Sequence, residues 1–150
     1  MLQELSSSGC IICGRDNPIG LRAVFQPEAN GVSATLVVGK QFRGFDGVLQ
    51  GGIVAGLLDD AMWWAVMTKG TLALTAEISV RYKAPVPVGE VIHVTGEVTE
   101  QRHRMFYCRA RISASDGPVL AEAKAKFLPA PAQMAVTGVA GCEGKNTHQV

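Results

Sequence analysis

The feature that most constrains this chain is a single apolar run embedded in sequence of a different period. From Gly51 to about Thr68, within "VLQGGIVAGLLDDAMWW" and its continuation, there is no proline, Leu, Ala and Met are abundant, and the length exceeds that of a strand. This run is the one convincing helix. Elsewhere the periodic segments alternate with period two, so one helix must cover the apolar face of a sheet.

The alternation defines the strands. "LRAVFQPEANGVSATLVVG" reads as a hairpin turning at Glu28 to Gly31, with Val32, Ala34, Leu36 and Val38 opposed to Ser33 and Thr35. After the helix, Leu74, Ala76, Ile78, Val80 and Tyr82 alternate with Thr75, Glu77, Ser79, Arg81 and Lys83 until "APVPVG" ends the strand. Further strands run through "VIHVTGEV", through Phe106 to Ala114 and, past a turn at Asp116 to Pro118, through Val119 to Phe127. The expected architecture is α+β, a curved antiparallel sheet wrapped around one central helix. Residues 1–20, rich in turn formers, are expected to be an irregular lead-in, residues 21–128 the folded domain, and residues 129–150 a flexible tail.

Composition excludes several functions. Hydrophobic residues make up 47% and charged residues 18% of the chain, which rules out disorder over most of its 150 residues, and the apolar runs are too short and interrupted to cross a membrane. Fourteen basic against thirteen acidic residues leave no field to attract nucleic acid or an anionic membrane. The start, MLQELSSSGC, carries no secretory signal pattern, so a cytoplasmic location with reduced Cys10, Cys13, Cys108 and Cys142 is expected.

On the helix, at ~100° per residue, Ile53, Leu57, Ala61 and Trp64 share one stripe. Asp59 falls opposite it with Ala55, Met62 and Val66, while Asp60 lies near the margin beside Ile53 and Gly56, so the two acids cannot face one site. Either acid could sit on a solvated face, but a helix with two central charges and tryptophans directly after them offers little surface. Gly51 and Gly52 either ease the chain into the helix or, with the free N–H groups of a helix start, form an oxyanion site.

Together, "GVLQGGIVAGLLDDAM" and "TAEISVRYKAPVPVGE" resemble the hotdog-fold acyl-CoA thioesterases of the phenylacetic-acid-degradation (PaaI-like) type, over about Gly44 to Gly89, and "CIICGRDNPIGL" is similar to the lead-in of one branch. That family's pattern is His-Gly-Gly, an apolar helix with an acid nine positions after the histidine, and a strand entering Tyr-Lys-x-Pro-x-Pro. The resemblance implies a hotdog fold and hydrolysis of an aromatic or medium- to long-chain acyl-CoA without a cofactor. It implies that the Gly51 N–H, with Gly52 beside it, polarises the thioester carbonyl, that Asp59 activates water or attacks directly, and that Thr75 helps hold the water. It also implies a dimer or dimer of dimers, with Asp59 and Gly51 of one site on opposite chains. Gln50 stands where the family usually has histidine; an amide can hydrogen-bond but cannot carry a proton, which opens the alternative of a non-catalytic acyl-CoA-binding domain.

Arg81, Lys83 and Arg43 could meet coenzyme A phosphates or lie on solvated faces, and Trp63, Trp64 and Met67 could line an acyl pocket or belong to the core. Dehydratase relatives resemble sequences with a catalytic histidine, whereas His93, His103 and His148 all lie away from the helix and its entrance loop. Cys10-x-x-Cys13 has zinc-ligand spacing without a second close ligand pair in the sequence, so no metal is expected.

Overall fold

The apolar run forms one helix, α1 (Gly51–Met67), and the alternating segments form β1 (Gln26–Glu28), β2 (Gly31–Val37), β3 (Ala73–Tyr82), β4 (Val91–Arg102), β5 (Met105–Ala114) and β6 (Val119–Pro129). The structure is a computed structural model describing residues 8–134; most of the expected tail, with Cys142 and His148, lies outside the described residues. All strands pair antiparallel in one sheet of order β1-β2-β4-β5-β6-β3. This is the hotdog arrangement that the resemblance implied. No helix among the described residues is long and apolar enough to cross a membrane.

The inner face follows from the period-two pattern. Phe106, Cys108, Ala110 and Ile112 of β5 and Ala121, Ala123, Ala125 and Phe127 of β6 are buried, while Arg109, Arg111 and Lys124 between them face outward. Small residues on β6 let the sheet close on the helix. The helix itself is buried more widely than a single stripe: Met62 and Val66, on the side of Asp59, are as inaccessible as Leu57 and Ala61. The lead-in completes this enclosure. Ile12 and Cys13 join the core, and Ile12 packs against α1 where Gly56 lacks a side chain, since a Cβ there would stand 2.8 Å from Ile12 Cδ1.

The expectation of uninterrupted alternation along β3 is corrected. Thr75 pairs with Phe127 but Glu77 pairs with Lys126, so Ala76 is an extra residue in a bulge. The bulge shifts the pleat by one position, putting Thr75 on the helix-facing side with Ile78, Val80 and Tyr82, whose partners are Ala125, Ala123 and Ala121. β3 is also the edge of the sheet, and Leu74, Ile78 and Tyr82 are 43%, 37% and 53% exposed.

Helix and sheet meet backbone to backbone at Gly96 of β4, where a Cβ would lie 2.4 Å from the Ala61 carbonyl oxygen. Backbone cannot retreat as a side chain can, so Gly96→Ala must push α1 off the sheet. The expected loss is about 3 kcal/mol, read as a lower urea midpoint with an unchanged slope.

Candidate active site

The start of α1 is held from both sides. Leu49 N–H donates to the Val86 carbonyl at 2.8 Å and Gln50 N–H to the Phe42 carbonyl at 3.0 Å, which ties the entrance loop to the proline segment after β3. Gln50 is the N-cap: its Oε1 accepts from Gly52 N–H at 2.6 Å and Ile53 N–H at 3.1 Å. Two backbone donors demand an oxygen there, so the amide Nε2 is left as a donor. Gly52 N–H is therefore committed to Gln50 and not offered to a substrate oxygen, which departs from the role the resemblance implied. Gly51 N–H has no acceptor among the described residues. From the other side, Tyr82 donates its hydroxyl to the Gly51 carbonyl at 2.7 Å. Gln50, Gly51, Tyr82, Lys83 and Phe45 line a cleft of about 530 Å³ at this helix end.

Two turns further on, Thr75 donates its hydroxyl to Asp59 Oδ1 at 2.8 Å. This contact exists because the bulge at Ala76 turns Thr75 toward the helix. Burial pushes the Asp59 carboxyl above its usual range, the Thr75 hydrogen bond pulls it back by favouring the ionised form, and negative charge on Cys10 adds to the rise. A half-buried carboxyl with one fixed donor and an open side has the features of a general base.

Asp60 turns the other way, toward the lead-in. Burial pushes its carboxyl up to about 7, against hydrogen bonding from the Cys13 thiol that favours ionisation. Its Oδ2 and Trp64 Nε1 are both buried without a hydrogen bond of normal geometry among the described residues. Hydrogen bonding from the Cys13 thiol draws Cys10 down to about 5, and the same contact, with burial, pushes Cys13 up.

The remaining sequence candidates are dispersed. Lys83 reaches the cleft but pairs with Glu122 at 3.1 Å, and Arg43 pairs with Asp46 at 3.5 Å on the surface. Arg81 lies with Arg109, Arg111 and Lys124 on the outer sheet face. Trp63 donates its indole N–H to the Ala73 carbonyl at 2.9 Å and meets Trp64 edge-on, which makes it a tie between α1 and β3 rather than part of the cleft. Sequence reasoning gave no role to Tyr82, although its place at the head of Tyr-Lys-x-Pro-x-Pro was a signal, and it did not connect the Cys10/Cys13 pair with Asp60.

Comparison with known proteins agrees with this fold. The thioesterase superfamily profile matches residues 46–121, from the entrance loop into β6. Acyl-coenzyme A thioesterase THEM4 of Mus musculus is 28% identical over 91 residues, 60% of this chain and 39% of that protein, so the chain spans about two fifths of that relative's length. The crystal structure of a thioesterase superfamily protein aligns with a TM-score of 0.77 at 25% identity, over 81% of this chain and 60% of that one. A hypothetical thioesterase from Streptococcus pneumoniae TIGR4, solved with coenzyme A, aligns with a TM-score of 0.67 at 18% identity, over 71% of this chain and 87% of that one. A profile match across the site-bearing half of the chain, on a helix wrapped by a curved sheet, leads to one conclusion: the chain belongs to the thioesterase superfamily.

Proposed function

We propose that the chain hydrolyses acyl-CoA thioesters as a homodimer, with Asp59 of one protomer acting on a carbonyl held by Gly51 of the other. The observation that carries this is the Thr75–Asp59 hydrogen bond on an otherwise apolar helix, beside an exposed edge strand. Eight residues of helix rise separate Gly51 from Asp59 by ~12 Å, too far for both to act on one thioester within a single chain. The open edge of β3, with Leu74, Ile78 and Tyr82 exposed, supplies a surface through which a second copy can bring its own Gly51 alongside Asp59.

In this reading the thioester oxygen accepts from the free Gly51 N–H at the helix start, with the Gln50 amide N–H₂ beside it as a second donor. Asp59, ionised, takes a proton from water as the water oxygen attacks the carbonyl, and collapse of the tetrahedral adduct breaks the C–S bond, the departing coenzyme A thiolate receiving that proton; if Asp59 adds to the carbonyl itself, the thiolate leaves a mixed anhydride that water then hydrolyses. Thr75 fixes the carboxylate. Gln50 carries no proton in either route, so proton transfer falls to Asp59 when it acts as base and to water when Asp59 attacks. Lys83, at the mouth of the cleft, is the best-placed cation for a coenzyme A phosphate, and the exposed Phe45 offers an apolar contact for the carrier or the acyl group. Coenzyme A is bound in the Streptococcus pneumoniae neighbour, which has also been solved in two single variants, one with alanine replacing an aspartate and one with alanine replacing a threonine sixteen positions further on, the separation of Asp59 and Thr75. Aromatic and medium- to long-chain acyl groups are the substrate classes to compare.

Thiol release from phenylacetyl-CoA and from a medium-chain acyl-CoA tests the assignment. Asp59→Asn is expected to lower kcat about 10³-fold while acyl-CoA binding persists; a parent chain that binds thioesters without turning them over would establish the binding-domain alternative instead. Shared sites can be tested by complementation. Gly51 is the first helical residue and follows an extended Gln50, so Gly51→Pro removes its N–H with little backbone strain, its added Cβ standing at an ordinary 3.6 Å from the Tyr82 hydroxyl. Chains carrying Gly51→Pro and Asp59→Asn, each inactive alone, regain activity when refolded together if the sites are shared; no recovery in confirmed mixed dimers would place both groups in one chain. Thr75→Val removes a donor that stabilises the ionised acid, so the acid limb of kcat/KM moves to higher pH, and an unmoved limb would deny Thr75 this role.

A further inference from the structure

We propose that Cys10 Sγ, Cys13 Sγ and the Asp60 carboxylate form a binding site for a zinc-type divalent metal, clasping the lead-in to α1 beside Asp59. The three ligand atoms lie within 4.8 Å of one another. Zinc–sulfur bonds of ~2.3 Å imply tetrahedral edges of about 3.7 Å, so closure around an ion needs a contraction of about 1 Å, within the reach of side-chain rotation.

The cysteine loop is built rather than incidental. Gly14 N–H donates to the Cys10 carbonyl at 2.9 Å, Asp16 N–H to the Ser8 carbonyl at 3.0 Å, and Asn17 Nδ2 to the Gly9 carbonyl at 2.9 Å. Only glycine fits at position 14, where a Cβ would stand 2.4 Å from Cys10 N and 2.5 Å from the Ser8 carbonyl oxygen. This tight loop directs the Ile12 N–H onto Cys10 Sγ at 3.4 Å, the kind of backbone donor that supports a metal-bound thiolate. Docking of Ile12 into the notch at Gly56 then sets Cys13 one helical turn along, against Asp60.

A second observation points to a missing cation. Asp60 Oδ2 is buried without a hydrogen bond of normal geometry among the described residues, with the Cys13 thiol and the Trp64 indole near it, and none of the ion pairs among those residues involves Asp59 or Asp60. Buried anionic groups are ordinarily paired or bound to a metal. Two thiols and one carboxylate favour zinc or cobalt over magnesium or calcium, which prefer all-oxygen sets. Three protein ligands leave a fourth position for water, and the half-buried Cys10 is the side from which an ion enters. A Cys10–Cys13 disulfide would use the two sulfurs but leave the buried oxygen of Asp60 unserved. The site stands whether or not the chain hydrolyses thioesters.

The test loads the reduced full chain with Zn²⁺ or Co²⁺, followed by dialysis and metal analysis. One equivalent of zinc is expected to remain, and cobalt to show tetrahedral visible bands with a thiolate charge-transfer band that weakens in Cys10→Ser and in Cys13→Ser. Asp60→Asn, nearly isosteric, is expected to weaken zinc binding by at least about a hundredfold, more than loss of an outer-shell partner costs. Cys108→Ser, in the core, is expected to keep full stoichiometry. Failure of the reduced wild-type chain to retain either metal overturns the proposal, as does unchanged affinity in a folded Asp60→Asn chain. Since the wild-type spectrum needs no variant, a variant that does not fold leaves the proposal falsifiable.

Discussion

Enclosure of α1 is the constraint on which everything else in this molecule depends. The sheet meets the helix backbone directly where Gly96 faces Ala61, and Ile12 closes the opposite side at Gly56. A helix enclosed this fully can carry a charged group only where a neighbour serves it, because an unpaired buried carboxylate costs several kcal/mol. Three polar features of α1 accordingly have fixed partners, while Asp60 Oδ2 and Trp64 Nε1 lack a hydrogen bond of normal geometry among the described residues. Gln50 answers the N–H groups at its start, Tyr82 reaches the Gly51 carbonyl, and Thr75 reaches Asp59.

Asp59 and Asp60 show how one residue of helical rotation separates two environments. Asp59 faces the edge strand, where a threonine hydroxyl fixes it and one side stays open. Asp60, about 100° around the axis, faces two cysteines in a loop that is held by its own backbone hydrogen bonds. The first arrangement suits a base that must meet a substrate, the second a group held in place. Negative charge on Cys10 acts on both, so the chemistry of the lead-in and that of the helix are not independent.

The edge strand links fold to assembly. β3 exposes both apolar side chains and an unpaired row of backbone groups, a combination that soluble proteins seldom leave uncovered. The same strand holds Thr75 against Asp59 and Tyr82 against Gly51. A second copy packed there would therefore meet elements that already position the start and the middle of the helix, and the proposed shared site uses groups that the single chain has ordered in advance.

Much of this was legible in the sequence because periodicity reports which face of an element is buried. The helix, the long strands and the antagonistic placement of the two aspartates follow from 3.6- and 2-residue periods, and the resemblance rests on motifs that are local in the chain. The bulge at Ala76 was not legible: one extra residue leaves an apolar-polar alternation intact to the eye while reversing which face it addresses, and only pairing with Phe127 and Lys126 reveals it. Gln50 as an N-cap was hidden because glutamine is not a customary cap and its reach depends on the backbone beside it. For Trp63 the sequence leaves acyl pocket and core both open, because its bond to Ala73 requires a strand to pass by. The sequence by itself determined one helix, a one-sided sheet and the residues able to do chemistry. Tertiary structure decided which of those residues meet, since Asp60 joins Cys10 and Cys13 across some fifty positions that no local pattern can span.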